Sequence, residues 1–333
     1  MKNQQTKKKR TPTQQSLHDR RVMTGLLVLI TILLVLVITL LPDGREAAGP
    51  EDTAGLDESG GESTQPMDSD DDTAESQPDE DGSDPSEEQS ITPWWLPAPQ
   101  SGTTPGTLVV VLDDAGGSLA ELEPFLDVAL PLTIAVLPRL AYSGESSLAA
   151  VTAGQEVILH QPMEPLSDKD PGPGAITSQT PIEVIAHLVR ENLATVPGAI
   201  GVNNHMGSRI TQDPESMAAL FAALSEDGLL FLDSRTSPDT VGAAVAGEFD
   251  LRFAERHVFL DNDRDRDSIL RAFATGFERA RTGENTIMIG HVTSPALAQV
   301  LAEVAAVAPD AGYTFGHLSQ AVSRAAVAEG ATP

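Results

Sequence analysis

The chain has 333 residues, which is enough for one sizeable folded domain with additional segments. It contains no cysteine, so neither a disulfide framework nor thiolate chemistry is available to it. The formal net charge is −28, and such an excess of carboxylates disfavours binding to the phosphates of nucleic acids.

The N-terminal segment combines a basic tail with a long apolar run. Residues 1–21 are rich in Lys and Arg, whereas residues 22–41 contain no charged side chain. A helix of this length spans about 30 Å, the thickness of bilayer hydrocarbon, so the run predicts a transmembrane anchor over 22–41. The basic tail predicts a cytoplasmic N-terminus, which makes the chain a single-pass membrane protein with a periplasmic or extracellular domain. The alternative is a cleaved signal peptide, although the apolar core of such peptides is usually only about 7–15 residues long.

Residues 42–106 are dominated by Asp, Glu, Ser, Pro and Gly, and they contain few large apolar side chains. Such a segment cannot bury enough surface to offset the entropy lost on folding, so its composition predicts a disordered acidic linker. Trp94 and Trp95 interrupt this pattern near its end. Docking onto the folded domain and insertion at a membrane surface are both compatible with the sequence at these two positions.

From residue 107 to about residue 328 the sequence alternates apolar runs with helical patterns. The predicted strands are 107–112, 132–137, 156–159, 199–203, 229–233 and 286–290, with a seventh near 257–260. The predicted helices are 119–128, 146–153, 181–195, 214–226, 267–281 and 295–308, and a last one begins at about His317. This alternation predicts an α/β domain with a mostly parallel sheet. About seven strands favour a distorted or incomplete (β/α) barrel.

Polar side chains follow most of these strands, at the end where parallel α/β folds bind their ligands. In chain order they are Asp113, Asp114, His160, Asn203, Asn204, His205, Asp233, Arg235, Asp261 and His291. Because the strand ends share one rim, these groups are expected to lie near one another. Carboxylate and imidazole ligands suit a divalent metal, with zinc favoured and iron, cobalt or manganese as alternatives. Such a metal activates water for the hydrolysis of an amide or an ester.

Other common sites are not indicated by the sequence. Phosphatases of the haloacid dehalogenase type need aspartates two residues apart, whereas Asp113 and Asp114 are adjacent. Neither the phosphate-binding pattern G-x-x-x-x-G-K-[ST] nor the nucleophile elbow G-x-S-x-G occurs in the chain. Hydrolysis at a metal site therefore remains the favoured chemistry.

Five sequence blocks resemble, in the right order, the motifs of the divergent polysaccharide deacetylase family, which is part of the NodB-like carbohydrate esterase superfamily. The blocks are VVVLDDAG (109–116), ILHQPMEP (158–165), GVNNHMGSRIT (201–211), FLDSRTS (231–237) and IMIGHV (287–292). The resemblance implies a distorted (β/α) barrel of about seven strands over residues 107–328. It also implies a metal-dependent deacetylase that acts on an acetylated glycan.

The resemblance also implies roles for individual residues. Asp113 would be the general base, Asp114 and His160 would be metal ligands, and His291 would be the general acid. In the superfamily the second motif carries two histidines four residues apart, but here the later position is Glu164. The third metal ligand is therefore open at this point.

For the third ligand, His205 is the first choice, because it ends the next strand and is flanked by asparagines that can orient it, and Glu164 is the second. Arg209 or Arg235 would be the arginine that keeps the catalytic aspartate ionised, although a salt bridge at the rim explains each arginine equally well. Asn204 and Asp233 are further candidates for a ligand or substrate contact.

Together these features predict a membrane-anchored hydrolase outside the cytoplasm that removes acetyl groups from an N-acetylated or O-acetylated envelope glycan. The alternative is a non-catalytic module that keeps the metal pocket and binds a glycan or a partner in the envelope. The replacement of the second motif histidine by Glu164 leaves this alternative open.

Overall fold

A computed structural model of the chain describes residues 93–324. These residues form nine strands: β1 (Leu108–Ala115), β2 (Thr133–Val136), β3 (Glu156–Met163), β4 (Gly201–Met206), β5 (Leu230–Asp233), β6 (Arg252–Glu255), β7 (Val258–Phe259), β8 (Thr286–His291) and β9 (Ser323–Arg324). The same residues form eight α-helices: α1 (Leu119–Leu126), α2 (Ser143–Thr152), α3 (Ile182–Leu193), α4 (Pro214–Glu226), α5 (Gly242–Glu248), α6 (Arg266–Ala280), α7 (Pro295–Val307) and α8 (Leu318–Ala321).

The basic tail 1–21, the anchor predicted over 22–41 and most of the predicted linker lie outside the described residues. Between residues 93 and 324, no helix is both long enough and apolar enough to cross a membrane.

One sheet holds all nine strands, in the order β7-β8-β1-β2-β3-β4-β5-β6-β9. Strands β1 to β8 pair in parallel, and β9 joins β6 in the antiparallel direction at the edge. Since β7 and β9 are the two edges of this order, the sheet is open. The parallel α/β fold fits the predicted incomplete barrel, but it has eight parallel strands instead of about seven. The sequence analysis missed β6, because its four residues are all half-buried and form no apolar run.

The two faces of the sheet bury different residues, since side chains alternate along a strand. On the outer face, one row of alternate side chains packs against the helices and forms the larger core. The other row forms a second cluster on the inner face, which includes Val109, Val111, Ala135, Ile158, Leu230, Leu232, Ile287 and Ile289. This alternation decides which polar residues at the strand ends enter the site.

Residues 93–106, which the composition assigns to the linker, pack against the domain. Trp95 is 5% exposed, and its ring centroid lies 6.1 Å from that of Phe277 on α6. The hydroxyl of Tyr313 donates a hydrogen bond of 2.8 Å to the carbonyl oxygen of Pro97. The folded domain therefore begins before residue 107. Of the two tryptophans, Trp95 packs onto the domain, whereas Trp94 is 65% exposed.

Replacement of Trp95 by alanine is expected to lower the free energy of unfolding by about 3–5 kcal/mol, because the change empties a buried aromatic site. Trp94→Ala serves as the matched control, and its effect should stay within about 0.5 kcal/mol because that side chain is exposed. Urea denaturation of both variants measures the difference. If Trp95→Ala also stays within about 0.5 kcal/mol, the packing of Trp95 adds little stability to the domain.

Candidate metal and catalytic site

Strand β1 presents two adjacent carboxylates to one cavity because its regular alternation breaks at its end. Asp113 continues the inner row of Val109 and Val111, so its side chain faces the cavity. The register between β1 and β2 shifts after Leu112, and Asp114 adopts a φ of 66°, a left-handed conformation that Asp tolerates better than most residues. This irregularity brings Asp114 to the same cavity as Asp113.

Asp114, His160 and His205 form the candidate metal centre. Asp114 Oδ1 lies 3.1 Å from His205 Nδ1 and 3.3 Å from His160 Nε2, and the two imidazole nitrogens are 3.1 Å apart. Among residues 93–324 these three form the one such cluster of potential ligands, with the ligand atoms all within 4.8 Å of one another. Two imidazole nitrogens and one carboxylate oxygen are the donor set of a catalytic site for zinc or a similar cation. The residues therefore fit the metal that the sequence predicts.

The charges at this centre are strongly coupled. Burial acts to raise the pKa of Asp114, but the contacts with His160 and His205 outweigh it and hold the pKa well below its usual range. Burial acts to lower the pKa of His160, but the charge of Asp113 and the contact with Asp114 outweigh it and raise the pKa. The contacts at this centre thus favour the ionised form of Asp114, which is the form that binds a cation.

Asn203 on β4 connects the metal centre with Asp113. Its Oδ1 lies 2.8 Å from Nδ1 of His160, and its Nδ2 donates to Asp113 Oδ1 at 2.8 Å. The side chain is fully buried. The sequence indicates Asn203 as a strand-end residue that could orient His205, but its amide contacts His160 and Asp113 instead. Its position two residues before His205 places both side chains on the inner face.

His291, at the end of β8, is paired with Asp261. Asp261 Oδ1 lies 3.0 Å from His291 Nδ1, and Asp261 Oδ2 accepts a hydrogen bond of 3.0 Å from the backbone N–H of the same histidine. Burial acts to lower the pKa of His291, but the hydrogen bond to Asp261 and the charge of Asp113 outweigh it and raise the pKa. Because Nδ1 is engaged by the carboxylate, Nε2 is the nitrogen that His291 can offer to a ligand in the cavity.

Substitution of Asp261 by asparagine is expected to lower the pKa of His291, because the anion that stabilises the imidazolium is removed. The pKa is measured from the pH dependence of the imidazole NMR shifts in the metal-free protein. Asp267→Asn removes an exposed carboxylate and should leave the pKa unchanged. If Asp261→Asn also leaves it unchanged, Asp261 does not hold the proton on His291.

The cavity at the rim has a volume of about 420 Å³. Asp113, Asp114, His160, His205 and His291 line it, together with three apolar groups, Met206, Phe259 and Ile289. Arg256 also lines it, and its guanidinium donates to the carbonyl oxygens of Ser234 (2.7 Å) and Arg235 (3.1 Å). Burial lowers the pKa of Arg256, although the charge of Asp113 opposes that effect.

Arg256 is thus a cation within electrostatic reach of Asp113, whereas the two arginines selected from the sequence pair with other residues. Arg209 Nε lies 2.9 Å from Glu164 Oε1, and Arg235 Nη1 donates to Glu255 at 2.8 Å. Neither arginine lines the cavity. Glu164, the second choice for the third ligand, is not brought to the metal centre. A hydrogen bond from the backbone N–H of Ser178 lowers the pKa of Glu164.

Asp233 and Asn204 hold loops near the site. Asp233 follows Leu232 of the inner row and therefore faces the helices, where it accepts hydrogen bonds from Thr240 Oγ1 (2.6 Å) and from the N–H of Arg235 (2.7 Å). Asn204 lines the cavity, but its amide is engaged by the backbone: Oδ1 accepts from the N–H of Ser234, and Nδ2 donates to the carbonyl of Met206. Neither of these two hydrogen bonds of Asn204 involves the ring of His205.

Comparison with known proteins bears on this arrangement. The family model described as divergent polysaccharide deacetylase matches residues 110–322. The chain belongs to the divergent polysaccharide deacetylase family. This confirms the resemblance noted in the sequence. The match covers all five sequence blocks except Val109, the first residue of the first block.

Two relatives of this chain are uncharacterised bacterial proteins. One, from Haemophilus influenzae, is 33% identical over 184 residues, which are 55% of this chain and 66% of the relative. The other, YibQ of Escherichia coli, is 32% identical over 199 residues, which are 60% of this chain and 62% of the relative. The matched part thus spans less than two thirds of either relative. The crystal structure of an uncharacterised protein from Agrobacterium tumefaciens has a TM-score of 0.62 at 20% identity, over 68% of this chain and 92% of that one, and it shares the fold.

Proposed function

We propose that this member of the divergent polysaccharide deacetylase family is a metal-dependent hydrolase that removes acetyl groups from an N-acetylated or O-acetylated glycan of the cell envelope. The observation that carries the proposal is one cavity that contains a three-residue metal-ligand cluster, a separate buried carboxylate and a carboxylate-paired histidine. Membership of the family supports the same reaction class.

Asp114, His160 and His205 would hold the metal, for which zinc is favoured and iron, cobalt or manganese are alternatives. When bound, a divalent cation polarises the acetyl carbonyl and lowers the pKa of water. The remaining steps belong to the protein's own side chains.

Asp113 accepts the proton of the attacking water. It is 3% exposed, and burial raises the pKa of its carboxyl group against the opposing charges of His160 and His291. A carboxylate whose pKa is shifted towards neutrality is a better general base than one with an ordinary pKa. Since Asn203 engages Oδ1, Oδ2 is the oxygen left for the proton.

His291 donates a proton from Nε2 to the leaving amine or alcohol as the bond between the acetyl carbon and that group breaks. Asp261 keeps Nδ1 engaged and favours the protonated ring, which is the form a general acid needs. Water is thereby added across the bond, and acetate and a free amine or hydroxyl leave the site.

The location of the reaction is part of the proposal. Residues 22–41 would anchor the chain in the cytoplasmic membrane with the basic tail 1–21 inside, and the domain would lie in the periplasm or outside the cell. Repulsion among the acidic residues that precede residue 93 would favour an extended linker and would give the domain reach towards an envelope glycan.

The test is acetate release by the full-length chain. The zinc-loaded protein is incubated with a panel of N-acetylated and O-acetylated glycan oligosaccharides, and acetate is measured over time. Release from at least one of them, absent in a parallel sample of Asp114→Ala, supports the proposed hydrolase. Tight zinc binding with no release across the panel would overturn it and favour a non-catalytic glycan-binding or partner-binding module.

A further inference from the structure

We infer that Asn203 is a positioning residue that couples metal binding at His160 to proton transfer at Asp113 through one side-chain amide. The inference rests on the proposed function, because it concerns the base and a ligand of that site. It goes further by assigning a single buried amide to both tasks.

The orientation of the amide follows from its partners. An ionised carboxylate has no proton to donate and can only accept hydrogen bonds. The NH2 group of Asn203 must therefore face Asp113 Oδ1, at 2.8 Å. The carbonyl oxygen then faces Nδ1 of His160, also at 2.8 Å, and that nitrogen must carry the proton. In this orientation Nδ2 also donates a hydrogen bond to Ser234 Oγ, at 3.2 Å.

The fold explains why one residue reaches both groups. His160 and Asn203 are direct partners in the register of β3 and β4, so their side chains lie next to each other on the inner face. Asp113 is 90 residues away in sequence, on β1, and two strands separate β1 from β4 in the sheet order. The amide of Asn203 therefore connects β4 with β1 on the inner face of the sheet.

The consequence for His160 is a fixed tautomer. With the proton on Nδ1, the lone pair of Nε2 is free for a cation, and the ring cannot rotate without losing a buried hydrogen bond. Hydrogen-bonding partners of this kind usually raise metal affinity about 10–100-fold relative to their removal.

The consequence for Asp113 is that its carboxylate is held beside the ligand cluster. Its Oδ2 lies 3.6 Å from His160 Nε2, close to the ligand atoms, yet Asp113 is not part of the ligand cluster. The hydrogen bond from Asn203 to Oδ1 holds the carboxylate in this neighbouring position. Asp113 thus stays available as a proton acceptor instead of becoming a fourth ligand.

Two variants separate these tasks. Asn203→Asp keeps an oxygen that accepts from His160 but places a second carboxylate against Asp113. Asn203→Leu has a similar size and removes both hydrogen bonds. Zinc affinity is measured by calorimetric titration of the metal-free full-length chain, and kcat and KM are measured on the best glycan of the acetate-release panel.

For Asn203→Asp we expect zinc affinity equal to or higher than that of the parent chain, and a kcat lowered at least about tenfold with little change in KM. For Asn203→Leu we expect zinc affinity lowered about 10–100-fold. Asn192→Leu is the matched control: this buried asparagine contacts Gln161 on the opposite face of β3, and its replacement should leave zinc affinity unchanged.

The inference is overturned if both Asn203 variants bind zinc as the parent does, or if both lose affinity equally. It is also overturned if Asn203→Asp turns over as fast as the parent. If the parent chain releases no acetate from any glycan, the proposed function fails, and the difference in zinc affinity between the two variants then decides the inference by itself.

Discussion

Replacing Asp113 by asparagine is expected to lower kcat by about 10²–10⁴-fold, the usual contribution of a general base, with zinc affinity nearly unchanged. Asparagine has the same size and can still accept the hydrogen bond from Asn203, but it cannot take a proton from water. Asp113 also lies outside the ligand cluster of Asp114, His160 and His205. Steady-state acetate release and a zinc titration on the same sample measure the two effects.

Asp233→Asn is the matched control for this experiment. Asp233 is also a buried aspartate at a strand end, but its carboxylate accepts hydrogen bonds from Thr240 and Arg235 on the helix side of the sheet. Its replacement should change kcat far less than that of Asp113. If Asp113→Asn deacetylates as fast as the parent chain, Asp113 is not the base, and the remaining carboxylate at the centre, Asp114, would have to serve both purposes.

Residues at one rim can be selected from this sequence because strand ends are easy to locate in an alternating α/β chain. Asp113, His160 and His291 all follow apolar runs, and the structure brings them into one cavity. The period of two along a strand contains further information that the sequence analysis did not use. It selects Asn203 and His205 on β4, and it turns Asp233 on β5 towards the helices.

Other features of the site depend on contacts between distant segments and could not be predicted from a single sequence. The sequence places Asp261 and His291 on the same rim, but their direct hydrogen bonds depend on the pairing of β7 with β8. Arg256 lies in the short connection between β6 and β7, and β6 has no apolar pattern that would reveal it. The turn of Asp114 into the cavity depends on a local irregularity of β1, which alternation alone does not predict.

His205→Ala is expected to weaken zinc binding by more than about 100-fold, beyond the 10–100-fold effect of removing a residue that only orients a ligand. The imidazole nitrogen of His205 lies 3.1 Å from Asp114 Oδ1, and its removal leaves two protein ligands at the centre. Calorimetric titration of the metal-free chain measures the loss. Acetate release should fall in parallel, because polarisation of the carbonyl depends on the bound metal.

Glu164→Gln tests the alternative third ligand, because Glu164 occupies the sequence position of the second histidine in the related deacetylases. Strand β3 ends at Met163, and the Glu164 carboxylate then pairs with Arg209 at 2.9 Å outside the ligand cluster. Zinc affinity should therefore remain unchanged, and loss of this partly exposed ion pair should cost at most about 1 kcal/mol of stability. Weakened zinc binding in Glu164→Gln together with normal binding in His205→Ala would reverse the assignment. The expected pattern means instead that the third ligand has moved from the end of β3 to the neighbouring strand β4, where the same inner face places His205 beside His160.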